Sequence, residues 1–272
     1  MDAASIAKSL ASFAAVYAAI CGVACAAHRS LLYPAPPREE PPRGDGIEWV
    51  RGRDATGETF ALCAFADGPD AQTIVHFHGN GEQVAWQARF ARDARSAGVG
   101  YCAVEYPGYG VLDQRATTER AMYDAAESVL RQLAARGIAG DRLALSGQSL
   151  GTGVAAEMAR RGHGSRLILL SPYTSIVEVA QRIVRVLPAS WIVRDRFDTR
   201  SKAASITMPV LIVHGTLDTL IPVEMGRQLA RTFPNARMVE LAQRGHNDLF
   251  AESEQPVWPL MLDFARGRAT AR

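Results

Sequence analysis

The 272-residue sequence has no long run of like charge. Its 30 Lys and Arg stand against 28 Asp and Glu, a formal charge of +2. A general nucleic-acid binder carries a stronger positive footprint, so no nucleic-acid partner is expected. The patterns GxxxxGK[ST], HExxH and GxGxxG are absent, which leaves phosphate-cradling, zinc-protease and dinucleotide chemistry without support. His28, His76, His163 and His214 have no metal-ligand spacing, and neither a metal nor an organic cofactor is expected. Cysteine is scarce, and Cys21, Cys25, Cys63 and Cys102 form no CxxC pair. That excludes a zinc ribbon and a disulfide framework. Small buried thiols are the first expectation; a Cys63–Cys102 bridge is the alternative if the domain is exported. With 14 Pro, 23 Gly and 48% hydrophobic residues, the chain is neither collagen-like nor disordered. It is long enough for one large α/β domain or two small ones.

What is present begins with an apolar N-terminus. Residues 9–27 contain no charge, and that length matches the ~20 residues of a bilayer-spanning helix. An uncleaved anchor over residues 1–30 is expected, with a cleaved or lipidated signal as the alternative. Lys8 lies before the run, and Arg29, Arg38 and Arg43 follow it. The positive-inside rule then favours a cytoplasmic domain by a narrow margin. Residues 31–45 are dense in proline, which cannot continue a helix and reads as an extended spacer.

From residue 46 to the C-terminus, short apolar runs alternate with amphipathic ones. Residues 46–51 and 59–65 alternate as a strand pair about a turn at 54–57. Six further runs, at 73–78, 101–106, 143–146, 167–170, 210–214 and 238–241, are apolar on both faces, as central parallel strands require. Helical spacing recurs at 82–97, 117–135, 150–161, 223–232 and 248–266. Strands alternating with helices predict one mostly parallel sheet covered on both faces. The interval 171–207 breaks the rhythm and is expected to form a short cap over one end of the sheet.

The sharpest motif is Gly147-Gln148-Ser149-Leu150-Gly151, set between a predicted strand and a predicted helix. Such an elbow holds a strained serine at the sheet edge, and its glycines avoid collision in the tight turn. A serine hydroxyl needs a base and an orienting acid to attack. In chain order, His214-Gly215-Thr216-Leu217-Asp218 and then Gly245-His246-Asn247-Asp248 follow later strands. Ser149, Asp218 and His246 are therefore the expected nucleophile, acid and base. Asp195, Asp198 and Asp248 are the alternative acids, with Asp248 expected to cap the following helix. Backbone N–H groups of Asn80 and Leu150 are expected to receive the oxyanion, with Gly81 an alternative to Asn80. His78 is expected to hold its loop rather than to act on substrate. Tyr109, Trp191 and Phe197 are the candidate substrate contacts, the last two within an apolar cover.

The motifs HFHGNGE (76–82), EYPGYG (105–110), GQSLGTG (147–153), HGTLD (214–218) and GHNDL (245–249), in this order, resemble the α/β-hydrolase superfamily. The resemblance covers nearly the whole chain after the anchor. With Leu31-Leu32-Tyr33-Pro34, it is similar to the branch holding the membrane-anchored α/β-hydrolase-domain-containing proteins 13 and 17, some of which remove palmitate from protein cysteines. The resemblance implies the α/β-hydrolase fold and a serine hydrolase but does not fix the substrate; the leading expectation is a small-molecule or acylated ester or thioester. An aminopeptidase-like amidase is the rival within enzymes, and a non-catalytic membrane-associated scaffold is the rival outside them.

Overall fold

A computed structural model describes residues 3–251 and 257–268. Eight strands form one sheet in the order β1-β2-β4-β3-β5-β6-β7-β8. The hairpin β1 (Glu48–Asp54) and β2 (Gly57–Ala64) turns where Asp54 accepts the N–H groups of Thr56 and Gly57. An Asx-type turn of this kind closes the hairpin with side-chain chemistry the sequence displays. The strands β3 (Thr73–Phe77), β4 (Gly100–Val104), β5 (Leu143–Gln148), β6 (Arg166–Leu170), β7 (Val210–Gly215) and β8 (Ala236–Leu241) run parallel.

Alternate residues of the strands feed different cores. Val75 and Leu145 pack with helices α3 (Glu119–Ala135), α4 (Leu150–Arg160) and α8 (Val223–Thr232). Ile74 and Ala144 point the other way, into the core shared by α2 (Ala88–Ser96) and α9 (Val257–Ala265). This two-sided burial is why the strands read as continuous apolar runs rather than alternating ones. The expected fold class holds: a mostly parallel sheet with helices on both faces, and strand C-terminal ends gathered along one edge.

Four features depart from the sequence reading. The expected helix at 82–97 starts with a 3₁₀ turn, Val84–Gln87, and becomes α-helical only at Ala88. The helix expected at 248–266 is shorter; Asp248 does not cap it but accepts the Gly245 N–H at 2.6 Å, while residues 252–256 lie outside those described. The proline-rich stretch is not a free spacer. It lies against the domain, with Glu39 N–H donating to Gln83, Gln83 to the Pro37 carbonyl, and Trp49 to the Pro42 carbonyl. Finally, Cys63 and Cys102 are buried as expected but form a disulfide. They are direct partners across the antiparallel β2–β4 pair, 4.0 Å apart at Cα. In the antiparallel ladder, close pairs bring side chains together. β4 enters the sheet between β2 and β3, an order that local sequence patterns do not reveal.

The N-terminal helix α1 runs Ala3–Leu32 and contains a stretch long and apolar enough to cross a membrane or act as a signal. None of its most apolar eighteen residues is buried in the protein. The interval 171–207, expected as a cap, lies between β6 and β7 and holds α5 (Ile176–Ile183), α6 (Ala189–Ile192) and α7 (Thr199–Ala203).

Candidate active site

β5 ends in a sharp turn where Ser149 takes φ +48°, ψ −117°, and α4 begins at the next residue. A positive φ is costly for a residue with a Cβ. Close packing enforces it here: the Ser149 N–H donates to the Leu170 carbonyl at 2.9 Å. A Cβ on Gly147 would fall 2.3 Å from the Gly151 carbonyl oxygen, and one on Gly151 only 2.0 Å from that of Phe77. Both glycines are therefore sterically required, as the motif predicts.

His246 stands between Ser149 and Asp218. Its Nε2 is 2.9 Å from Ser149 Oγ and its Nδ1 is 2.7 Å from Asp218 Oδ2. An ionised carboxylate only accepts, so Nδ1 carries the proton and Nε2 presents its lone pair to the serine hydroxyl. Asp218 lies in the loop after β7, and its other oxygen accepts the N–H groups of Leu220 and Ile221 at 3.0 and 2.8 Å. Burial alone would raise its pKa. Hydrogen bonds from His214, His246 and the Ile221 amide outweigh burial and hold the carboxyl well below its ordinary value. The alternative acids are elsewhere: Asp195 pairs with Arg29 at 3.0 Å, Asp198 caps α7 through the Ser201 N–H, and Asp248 braces the Gly245 amide.

The loop after β3 passes beside the serine; a Cβ on Gly79 would sit 3.7 Å from that of Ser149. Several side chains fix this loop. His78 Nδ1 bonds the Gly79 carbonyl at 2.9 Å and Nε2 the Glu105 carboxylate at 3.1 Å, with ring and carboxylate both buried. Both partners are acceptors, so both ring nitrogens carry protons. Burial lowers the His78 pKa, but the Glu105 hydrogen bond and charge outweigh it and raise the value overall. Tyr106 donates to the His78 carbonyl, and Tyr109 donates to Asn80 Oδ1 at 2.6 Å. The Gly79 N–H is occupied by Glu82 at 3.3 Å.

The three expected substrate contacts are not gathered at the site. Tyr109 is buried and holds the Asn80 side chain. Phe197 is fully buried, edge-on to Tyr123, where it backs α4 at Gly153. Trp191 is 83% exposed on the outside of the cap. Phe197 and Trp191 share an apolar stretch of sequence but face opposite ways.

Sequence reasoning missed three partners. His214 lies 3.4 Å from Asp218 Oδ2 and 2.8 Å from the Ile221 carbonyl. Glu105 neutralises His78; a lone acid ending an apolar strand was a signal, because a buried charge needs a partner. The third is Leu32, whose carbonyl accepts Asn80 Nδ2 at 2.6 Å, and nothing local in the sequence links them. Among the described residues, no group of three or more His, Cys, Asp or Glu could hold a metal ion.

Two family profiles match the chain: one described as serine aminopeptidase over residues 68–199, and one described as alpha/beta hydrolase fold over 163–253. A protein of Acanthamoeba polyphaga mimivirus named as an alpha/beta hydrolase is 33% identical over 181 residues, covering 65% of this chain and 67% of that one. Alpha/beta hydrolase domain-containing protein 17B of Homo sapiens is 30% identical over 209 residues, 75% of this chain and 71% of that one. An esterase of Pyrococcus furiosus has the same fold, with TM-score 0.67 at 15% identity, covering 86% of this chain and all (100%) of the other. By sequence and by fold, this chain belongs to the α/β-hydrolase family.

Proposed function

We propose that the protein is a membrane-anchored serine hydrolase that cleaves a carboxylic ester or thioester bearing an acyl chain. The observation that carries this reading is the placement of His246 between Ser149 Oγ, at 2.9 Å, and Asp218 Oδ2, at 2.7 Å. In the proposed reaction Ser149 Oγ attacks the acyl carbonyl while His246 Nε2 takes its proton. The imidazolium then protonates the departing alkoxide or thiolate, leaving an acyl-serine. Water, deprotonated by the same imidazole, attacks the acyl-serine carbonyl and releases the acid, and the proton returns to Ser149. Asp218 fixes the tautomer and stabilises the imidazolium; its low pKa keeps it ionised throughout.

Negative charge developing on the carbonyl oxygen needs preorganised donors. Leu150 N–H, at the start of α4, and Asn80 N–H are assigned this role. The neighbouring Gly79 N–H is already bound to Glu82, which supports Asn80 as the donor from that loop. The helix α1 is assigned as the membrane anchor. The Cys63–Cys102 bridge supports a catalytic domain on an oxidising side of the membrane, against the narrow cytoplasmic preference of the arginine distribution.

The serine aminopeptidase profile favours a second reading, hydrolysis of an N-terminal peptide bond. Recognising a substrate ammonium needs an available carboxylate. The cap acid Glu178 is already engaged by Thr174 and Arg200, which weighs against it. A panel of p-nitrophenyl esters, acyl thioesters and amino-acid anilides tests the assignment. Turnover of esters and thioesters with inert anilides is the expected result; preferential anilide cleavage would assign the peptidase instead.

A further inference from the structure

The last turns of α1 are built into the enzyme. Arg29 pairs with the cap residue Asp195, Tyr33 is buried, and the Leu32 carbonyl accepts Asn80 Nδ2. Between this end of α1 and the cap lies an apolar cavity of about 240 Å³. Ala24 and Leu32 wall it on the helix side, and Ile176, Ala180, Ile183 and Ile192 on the cap side. Its one imidazole, His28, has Nδ1 turned back to the Cys25 carbonyl at 2.7 Å. Leu32, one of its walls, is the residue whose carbonyl accepts Asn80 Nδ2, in the loop that runs beside Ser149. Its wall residue Ile183 is 63% exposed, and the nearby cap residues Val186 and Trp191, which do not line the cavity, are 77% and 83% exposed, so the cap presents an apolar rim. Tyr17, midway along α1, donates to the Val186 carbonyl at 2.7 Å, so the rim lies along the membrane-length helix. Arg182 and Arg185, neighbours in sequence of Ile183 and Val186, are exposed.

We propose that this cavity is an alkyl-chain site walled jointly by the membrane helix and the cap. It admits the acyl chain of a membrane-resident ester or thioester from the bilayer and sets its carbonyl at Ser149. The inference rests on the acyl-hydrolase reading above for the reaction, though not for the binding. Continuity between rim and anchor commits the occupant to lipid-like chains, since any substrate reaching the rim arrives from the same bilayer that holds α1. Each methylene buried there gains about fourfold in binding. Specificity for long chains would then depend on α1, an element outside the catalytic fold.

The test uses the full chain in vesicles of phosphatidylcholine and phosphatidylglycerol. Filling the cavity from either wall, by Ala24→Trp or Ala180→Phe, should lower the dodecanoate-to-acetate ratio of kcat/KM for p-nitrophenyl esters by tenfold or more. Ala11→Trp, on an exposed part of α1, should leave the ratio at its wild-type value. Separately, dodecanoic acid carrying a chain-terminal diazirine should, on irradiation, label peptides spanning both 24–32 and 176–193. This readout needs no turnover and serves if either variant fails to fold. An unchanged ratio in both cavity variants, or labelling confined to residues 3–20, overturns the proposal. Labelling of both walls by a protein that hydrolyses no ester would leave the cavity standing and overturn the acyl-hydrolase reading alone.

Discussion

Arg29, in the last turn of the membrane-length helix, donates to Asp195 Oδ2 at 3.0 Å, while Asp195 Oδ1 accepts the N–H of Glu119 at 3.2 Å. One carboxylate thus ties the N-terminal helix, the 171–207 interval and the start of α3 together. The two partners differ in exposure, with side chains 46% and 8% accessible. An exposed guanidinium contributes about 0–1 kcal/mol, whereas removing the buried acid strands an amide and a cation, costing about 1–3 kcal/mol. Asp195→Ala should therefore lower the urea midpoint clearly more than Arg29→Ala. Equal losses would contradict this account of the joint.

Asp218→Asn should lower kcat on the order of 10⁴-fold, the effect of losing tautomer control in a serine triad. Asp248→Asn should be mild, because Asp248 Oδ1 receives the Gly245 amide while His246 Nδ1 is held by Asp218. Steady-state rates on a short ester decide between them. A severe Asp248 effect with a mild Asp218 effect would move the acid role to Asp248.

The buried His78–Glu105 pair predicts a pH signature. Its folded pKa is raised above the ordinary 6.5, so its contribution to stability is complete below that value and is lost as pH rises through the folded pKa. The stability difference between wild type and Glu105→Gln should be largest below pH 6.5 and shrink in alkali. Urea midpoints across a pH series measure it. A difference that grows with pH would show that the pair is not charged in the native state.

Much of this was legible in the sequence because the chemistry sits in short motifs bound to strand ends. Ser149 needs flanking glycines to avoid backbone contact, and Asp218 and His246 each follow a strand run, so order alone brings them to one edge. Boundaries slipped where side chains took over from periodicity: Asp248 bends back to Gly245, so no helix begins there. The contacts of Trp191 and Phe197 were not legible, because apolar character does not say which face of a short irregular helix is buried. Nor was Leu32–Asn80, which depends on how distant segments meet; the Cys63–Cys102 bridge was open only as an alternative to free thiols, for the same reason.

The disulfide makes a counting prediction. Cys21 and Cys25 are free and Cys63 and Cys102 are bridged. A maleimide added to denatured, unreduced protein should attach at two sites, rising to four after reduction. Four before reduction would show that the pair is reduced in the protein as isolated. Replacing both bridged cysteines by alanine should cost about 2–4 kcal/mol of stability.

The central claim is that Ser149 is the nucleophile activated by His246 at 2.9 Å. Covalent labelling by a fluorophosphonate, followed by mass spectrometry of the modified peptide, tests it most directly. The account predicts one adduct, on Ser149, absent from Ser149→Ala and strongly reduced in His246→Ala, with the Tm of Ser149→Ala close to wild type. An adduct on another residue, or full labelling of Ser149→Ala, would contradict it.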